Sequence, residues 1–99
     1  MEKTTIRFRE DGQGRILYRE EGHVLGEMII AVDPPLLTAY HTEVKPEAEG
    51  KGVGKKLLEA LVGYARENGL KIVALCPFVH AQFRRHPDTY ADVWQQQTV

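Results

Sequence analysis

The segment EVKPEAEGKGVGKKLLEALVGYAREN, residues 43–68, joins two kinds of sequence. Its later part places apolar residues at 53, 57, 58, 61, 62 and 65, the single stripe of an amphipathic helix. Lys55, Lys56, Glu59, Arg66 and Glu67 fall on the opposite face. Asn68-Gly69 ends the run, and Gly69 is suited to a left-handed helix cap. Glycines at 50, 52 and 54 stand among lysines directly before the helix, where the backbone would approach something closely.

Upstream, the pattern has period two. IRFRED (6–11) alternates apolar and polar residues, as a half-buried strand does, and GQG (12–14) turns the chain into RILYRE (15–20). HVLGEMIIAV (23–32) is a third strand with Gly26 as a candidate bulge, and DPP (33–35) breaks it. LLTAYHTEV (36–44) is the fourth. Downstream, LKIVAL (70–75) is a short apolar strand, and strand–helix–strand connectivity places it parallel to a neighbour. Pro77 opens a second helix through His86, and HPDTYADVW adds a further turn. The expectation is an α/β fold ordered β-β-β-β-α-β-α. Its sheet is mixed, mostly antiparallel, with about five strands. Residues 1–94 form one domain, and QQQTV (95–99) is a polar tail.

Composition narrows the function classes. A chain of 99 residues fits one domain. A net charge of −1 supplies no basic field for nucleic acid. No apolar run reaches the roughly 18 residues of a membrane span, so no membrane partner is expected. MEKTTIRFRE lacks the apolar core of a signal peptide and reads as a mature N-terminus. One cysteine, Cys76, rules out an internal disulfide and suits a reducing cytoplasm. The histidines at 23, 41, 80 and 86 have no zinc spacing, and no metal is expected.

Two phosphate motifs fail at the glycine loop. A P-loop requires Gly at 49 and Ser or Thr at 56, where Glu49 and Lys56 stand. A dinucleotide turn requires Gly at 55 or 57, where Lys55 and Leu57 stand. A helix N-terminus remains, with unpaired N–H groups and about half a positive charge to offer an anion. A flexible turn with solvated lysines is the alternative reading.

The chain resembles the GNAT acetyltransferase superfamily, and its small single-domain members most closely. The resemblance rests on HTEV (41–44), GKGVGKKL (50–57), LKIVALCPFV (70–79) and RRHP (84–87), with EGKGVG (49–54) on the family's [QR]-x-x-G-x-[GA] signature. It implies acetyl-CoA as co-substrate and an amine, small or on a protein, as acceptor. It implies coenzyme contacts at Glu49, Gly50, Lys51, Gly52, Val53, Gly54 and Lys55. The pantetheine arm would lie between the fourth and fifth strands, against Thr42 and Val44. Three features depart from the family pattern. Glu49 replaces Gln or Arg, the helix after the fifth strand has no Tyr, and no helical segment follows the first strand.

Amine acetylation needs a base, a donor to the thioester carbonyl and an acid for the leaving thiolate. Cys76, at the end of the fifth strand, is a candidate acid or nucleophile, or a buried core cysteine. His41 is a candidate base, with Glu43 on the same strand face as a second. Arg84, Arg85 and His86 suit either a phosphate or the solvated end of a helix, and Tyr90 with Trp94 suits helical packing. An N-acetyltransferase is the leading reading. A non-catalytic CoA-binding or sensing module is the alternative, and a protein-interaction domain a third. A monomer or a weak homodimer is expected.

Overall fold

The computed structural model describes residues 2–96. Five strands form one sheet in sequence order: β1 (Glu2–Phe8), β2 (Gln13–Glu20), β3 (His23–Asp33), β4 (Leu36–Val44) and β5 (Lys71–Ala74). The first four are antiparallel, and β5 runs parallel to β4 after the crossover helix α1 (Val53–Asn68). A 3₁₀ turn at Pro46–Ala48 precedes α1, and two helices, α2 (Pro77–Arg85) and α3 (Pro87–Tyr90), follow β5. The fold is the expected α/β arrangement, with β4 and α1 at their expected bounds.

The first strand differs from expectation. It runs from Glu2 to Phe8 rather than across residues 6–11, because the turn comes earlier. Arg9 N–H donates to Gln13 O at 2.7 Å, and Gly12 N–H to Arg9 O at 3.0 Å. Gly12 has φ +91°, and a Cβ there would lie 2.5 Å from the Val32 carbonyl oxygen, so only glycine fits this corner. Asp11 leaves the strand and accepts a hydrogen bond from Gln13 N–H.

The two sheet faces are unlike. Ile16, Tyr18, Met28, Ile30, Leu37, Ala39 and Ile72 are buried on one face under Leu57, Leu58, Leu61, Val62 and Ala65 of α1 and Val79 and Phe83 of α2. Each such large side chain contributes about 1.5–3 kcal/mol by leaving water. On the other face Thr5, Arg7, Arg15, Leu17, Glu27, Ile29, His41 and Glu43 are none of them buried.

The outer edge of β5 is covered. Trp94 pairs with Ile72 in a parallel bridge, and Gln95 N–H donates to Ile72 O at 2.8 Å. The polar tail expected from 95 therefore begins with a bonded Gln95, and residues 97–99 lie outside the described residues. Tyr90 and Trp94 both stack on Phe83 of α2, at centroid distances of 4.7 and 5.7 Å, as packing residues do.

Candidate functional site

Strands β4 and β5 pair only as far as Ala39 opposite Ala74. There the N–H groups of Leu75 and Cys76 both donate to Ala39 O, at 3.1 and 2.8 Å. Pro77 then starts α2 and carries the chain away from the sheet, since its fixed φ suits the first helical position. β4 continues to Val44 with β3 alone beside it, which opens a gap on its other edge.

The register between β3 and β4 shifts there. Ile30 faces Ala39 but Ile29 faces His41, so Tyr40 is an extra, bulged residue. The bulge reverses side-chain parity along β4. Before it, Leu37 and Ala39 point into the core; after it, Thr42 and Val44 take that side while His41 and Glu43 face the open side. Lys45 N–H donates to Leu25 O at 2.9 Å on β3. By alternation the backbone groups of Thr42 and Val44 then point away from β3, into the gap.

Cys76 occupies the cap position before α2, two residues past the strand end, and is 1% exposed. Its Sγ lies 3.1 Å from Thr42 Oγ1, across the gap. His41 and Glu43 share the open face as their spacing implied, with Nε2 3.8 Å from Oε1. They stand on the opposite side of the sheet from Cys76. β4 thus presents the Thr42 hydroxyl to the Cys76 thiol on its covered side and an imidazole–carboxylate pair on its open side.

Beyond β4, Lys51 N–H donates to Ala48 O and Glu49 N–H to Pro46 O, both at 3.2 Å. Gly50 and Gly52 have φ +84° and +77°, the left-handed conformation that favours glycine. Lys56 N–H then donates to Gly52 O at 3.1 Å, which closes the first turn of α1. No side chain caps the helix, and its first turn holds no acid. Among the described residues the N–H groups of Gly50, Gly52, Val53, Gly54 and Lys55 have no acceptor. They open onto a pocket of about 330 Å³ that Val44, Ala48 and Phe78 also line. Such a cluster, at the positive end of a four-turn helix, suits an anion. Lys51 differs from its neighbours, since its N–H is already bonded. Glu49 is exposed at the rim.

Gly54 has another role than the two glycines before it. A Cβ there would lie 3.1 Å from the Phe78 ring on α2, so its missing side chain lets the two helix starts approach. A longer side chain at 54 would meet Phe78. Neither Phe78 nor the Tyr40 bulge was marked by the sequence reading. The glycine spacing hinted at close approach without naming the partner, and nothing local marked the bulge. Arg84, Arg85 and His86 are exposed at the C-terminal end of α2, where cations favour the helix dipole.

Comparison with known proteins bears on the fold and the family. The family profile described as GCN5-related N-acetyl-transferase matches residues 5–93. A solution structure of a GCN5-like protein from Staphylococcus aureus is 36% identical, with TM-score 0.68 over 95% of this chain and 90% of that one. The ribosomal-protein-alanine N-acetyltransferase of Brucella melitensis has the same fold at 22% identity and TM-score 0.65, over 91% of this chain and 67% of that one. So does an aminoglycoside acetyltransferase from an uncultured soil metagenomic sample, at 17% identity and TM-score 0.63, over 92% and 64%. No match emerged among curated protein sequences. The profile and the Staphylococcus aureus structure each span most of the chain, and the chain therefore belongs to the GCN5-related N-acetyltransferase family.

Proposed function

We propose that the protein is an N-acetyltransferase that uses acetyl-CoA and transfers the acetyl group to a primary amine. The observation that carries this reading is the set of unbonded N–H groups at Gly50, Gly52, Val53, Gly54 and Lys55, at the end of the gap beside β4. They would hold the coenzyme's pyrophosphate, with Lys51 and Lys55 adding positive charge. Backbone groups of Thr42 and Val44 would bind the extended pantetheine arm as a partial strand, and one of their N–H groups would polarise the thioester carbonyl. Glu49, exposed, can turn its carboxylate to solvent.

The covered face of the sheet carries α1 and α2, so the amine would come from the open face. His41 would take the amine proton, directly or through Glu43, as nitrogen attacks the carbonyl carbon. The carbon–sulfur bond breaks, and Cys76, from the other side of β4, would give its thiol proton to the departing thiolate. The Thr42 hydroxyl beside Sγ would hold that thiol in place. A base on one side of the strand and an acid on the other suit a thioester threaded between β4 and β5. The free thiol suits a reducing cytoplasm, and among the described residues no helix is long and apolar enough to cross a membrane.

The deep burial of Cys76 favours a second reading, a CoA-binding module without turnover. Calorimetry with acetyl-CoA, followed by mass spectrometry of an amine panel, separates the two. Binding with acetylated product is the expected result. Binding without product supports the module, and no binding at millimolar acetyl-CoA contradicts both.

A further inference from the structure

The open face of the sheet carries a charge gradient. Cross-strand register sets His41, Ile29, Arg15 and Arg7 in one row from β4 to β1, and Glu43, Glu27, Leu17 and Thr5 in the next. Carboxylates therefore gather at the end beside the gap, arginines gather at the β1 edge, and Ile29 and Leu17 lie between them. At each end like charges stand directly opposite: Glu27 against Glu43, and Arg7 against Arg15. Such pairs repel unless a counter-charge comes between them.

The chain answers this repulsion only in part. Arg15 reaches Glu27 at 2.8 Å, and His41 lies 3.8 Å from Glu43. Arg7 has no ion pair or side-chain hydrogen bond among the described residues. Each end is also hollowed. Thr5, Arg7, Arg9, Arg15, Leu17 and Ile29 line a depression of about 400 Å³, and Glu27, Glu43, Val44 and Lys45 line another of about 350 Å³. Three strand spacings separate His41 from Arg7, roughly 14 Å. An extended chain covers that in about four residues.

We infer that the acceptor is an extended peptide lying across this face. Its primary amine is at His41 and Glu43, its apolar stem rests on Ile29 and Leu17, and an acidic residue about four positions away pairs with Arg7 and Arg15. The inference rests on the acetyl-transfer reading and assigns its substrate class. A small amine would use only the carboxylate end and leave the arginine depression idle. A second copy of the chain on this face would block the approach to His41.

The test compares short peptides that carry one primary amine, as an N-terminal α-amine or a lysine ε-amine, with Asp, Ala or Lys about four residues beyond it. The Asp peptides are expected to exceed the Lys peptides about tenfold in kcat/KM at low salt. The advantage shrinks as ionic strength passes about 0.1 M. Arg7→Glu reverses the order, with folding checked by circular dichroism. Equal kcat/KM across the set, or ethylamine outperforming every peptide, overturns the proposal. So does a dimer in sedimentation that Arg7→Glu dissociates. A second readout needs no turnover: Asp peptides shift the amide signals of Arg7, Arg15 and Ile29 without acetyl-CoA. Such shifts without acetyl-CoA binding keep the docking surface and remove the transferase reading. Acetyl-CoA binding with those signals unmoved does the reverse.

Discussion

The two faces of the sheet are built from the same strands yet obey different rules. On the covered face, Ile16, Met28, Ile30, Leu37 and Ile72 are at most 1% exposed and interlock with two helices. On the open face the strand centres carry Leu17 and Ile29, flanked by arginines and carboxylates, and no described helix lies over them. The buried core therefore lies on one side, and the proposed recognition surface on the other. The proposed chemistry lies where the sides meet, at the Tyr40 bulge. This one extra residue lets a single strand send Leu37 and Ala39 to the core, Thr42 to the gap and His41 to the open face.

The largest predicted effect removes that switch. Inserting one residue between Ile29 and Ile30 gives Tyr40 a partner on β3 and restores plain alternation, which drives His41 and Glu43 toward the core and Thr42 and Val44 outward. The insertion is expected to cost more than about 3 kcal/mol, or to prevent folding, because buried charges lose their hydration. Tyr40→Ala keeps the extra residue and is expected to stay folded. Urea melts of both variants check the pair, and equal stability would mean that parity is set elsewhere.

A smaller contrast compares the faces directly. Leu61→Ala, under the covered face, is expected to cost about 2–5 kcal/mol. Ile29→Ala, on the half-buried open face, is expected to cost under about 1 kcal/mol. A large loss at Ile29 would show that something covers the open face.

The smallest effect belongs to the surface away from both faces. The Arg66 guanidinium, bonded to Asp92 at 2.8 Å, holds that carboxyl below its ordinary range. A lowered folded-state value contributes stability above the ordinary carboxylate pKa and loses it as pH falls through the folded value. Both partners are well exposed, so Asp92→Asn is expected to flatten acid unfolding only slightly, and less still in high salt. Melts at successive pH values check this, and a steeper acid limb in the variant would contradict it.

Much of the fold was legible in the sequence. The helix stripe from Val53 and its Gly69 cap set α1, and the cap forms with φ +64° and a bond to Ala65 O. Alternation and the DPP break set β4. What escaped depends on contacts between distant segments. The Tyr40 bulge follows from how β3 and β4 register, and no glycine or proline marks it. Gly54 also makes room for Phe78, 24 positions along the chain, a neighbour that its spacing among the loop glycines does not reveal. The sequence left Cys76 open between a reactive and a buried thiol at a strand end, and the turn into α2 buries it beside Thr42. The like-charge rows of the open face become visible only when the strands are aligned.

The central claim is that the start of α1 and the β4 gap together hold acetyl-CoA. An amide-resolved NMR titration tests it most directly. The account predicts that acetyl-CoA moves the signals of Gly50, Gly52, Val53, Gly54 and Lys55 together with those of Thr42 and Val44, and leaves β1 and β2 in place. Unmoved loop signals at millimolar acetyl-CoA, or shifts confined to another part of the molecule, would contradict it.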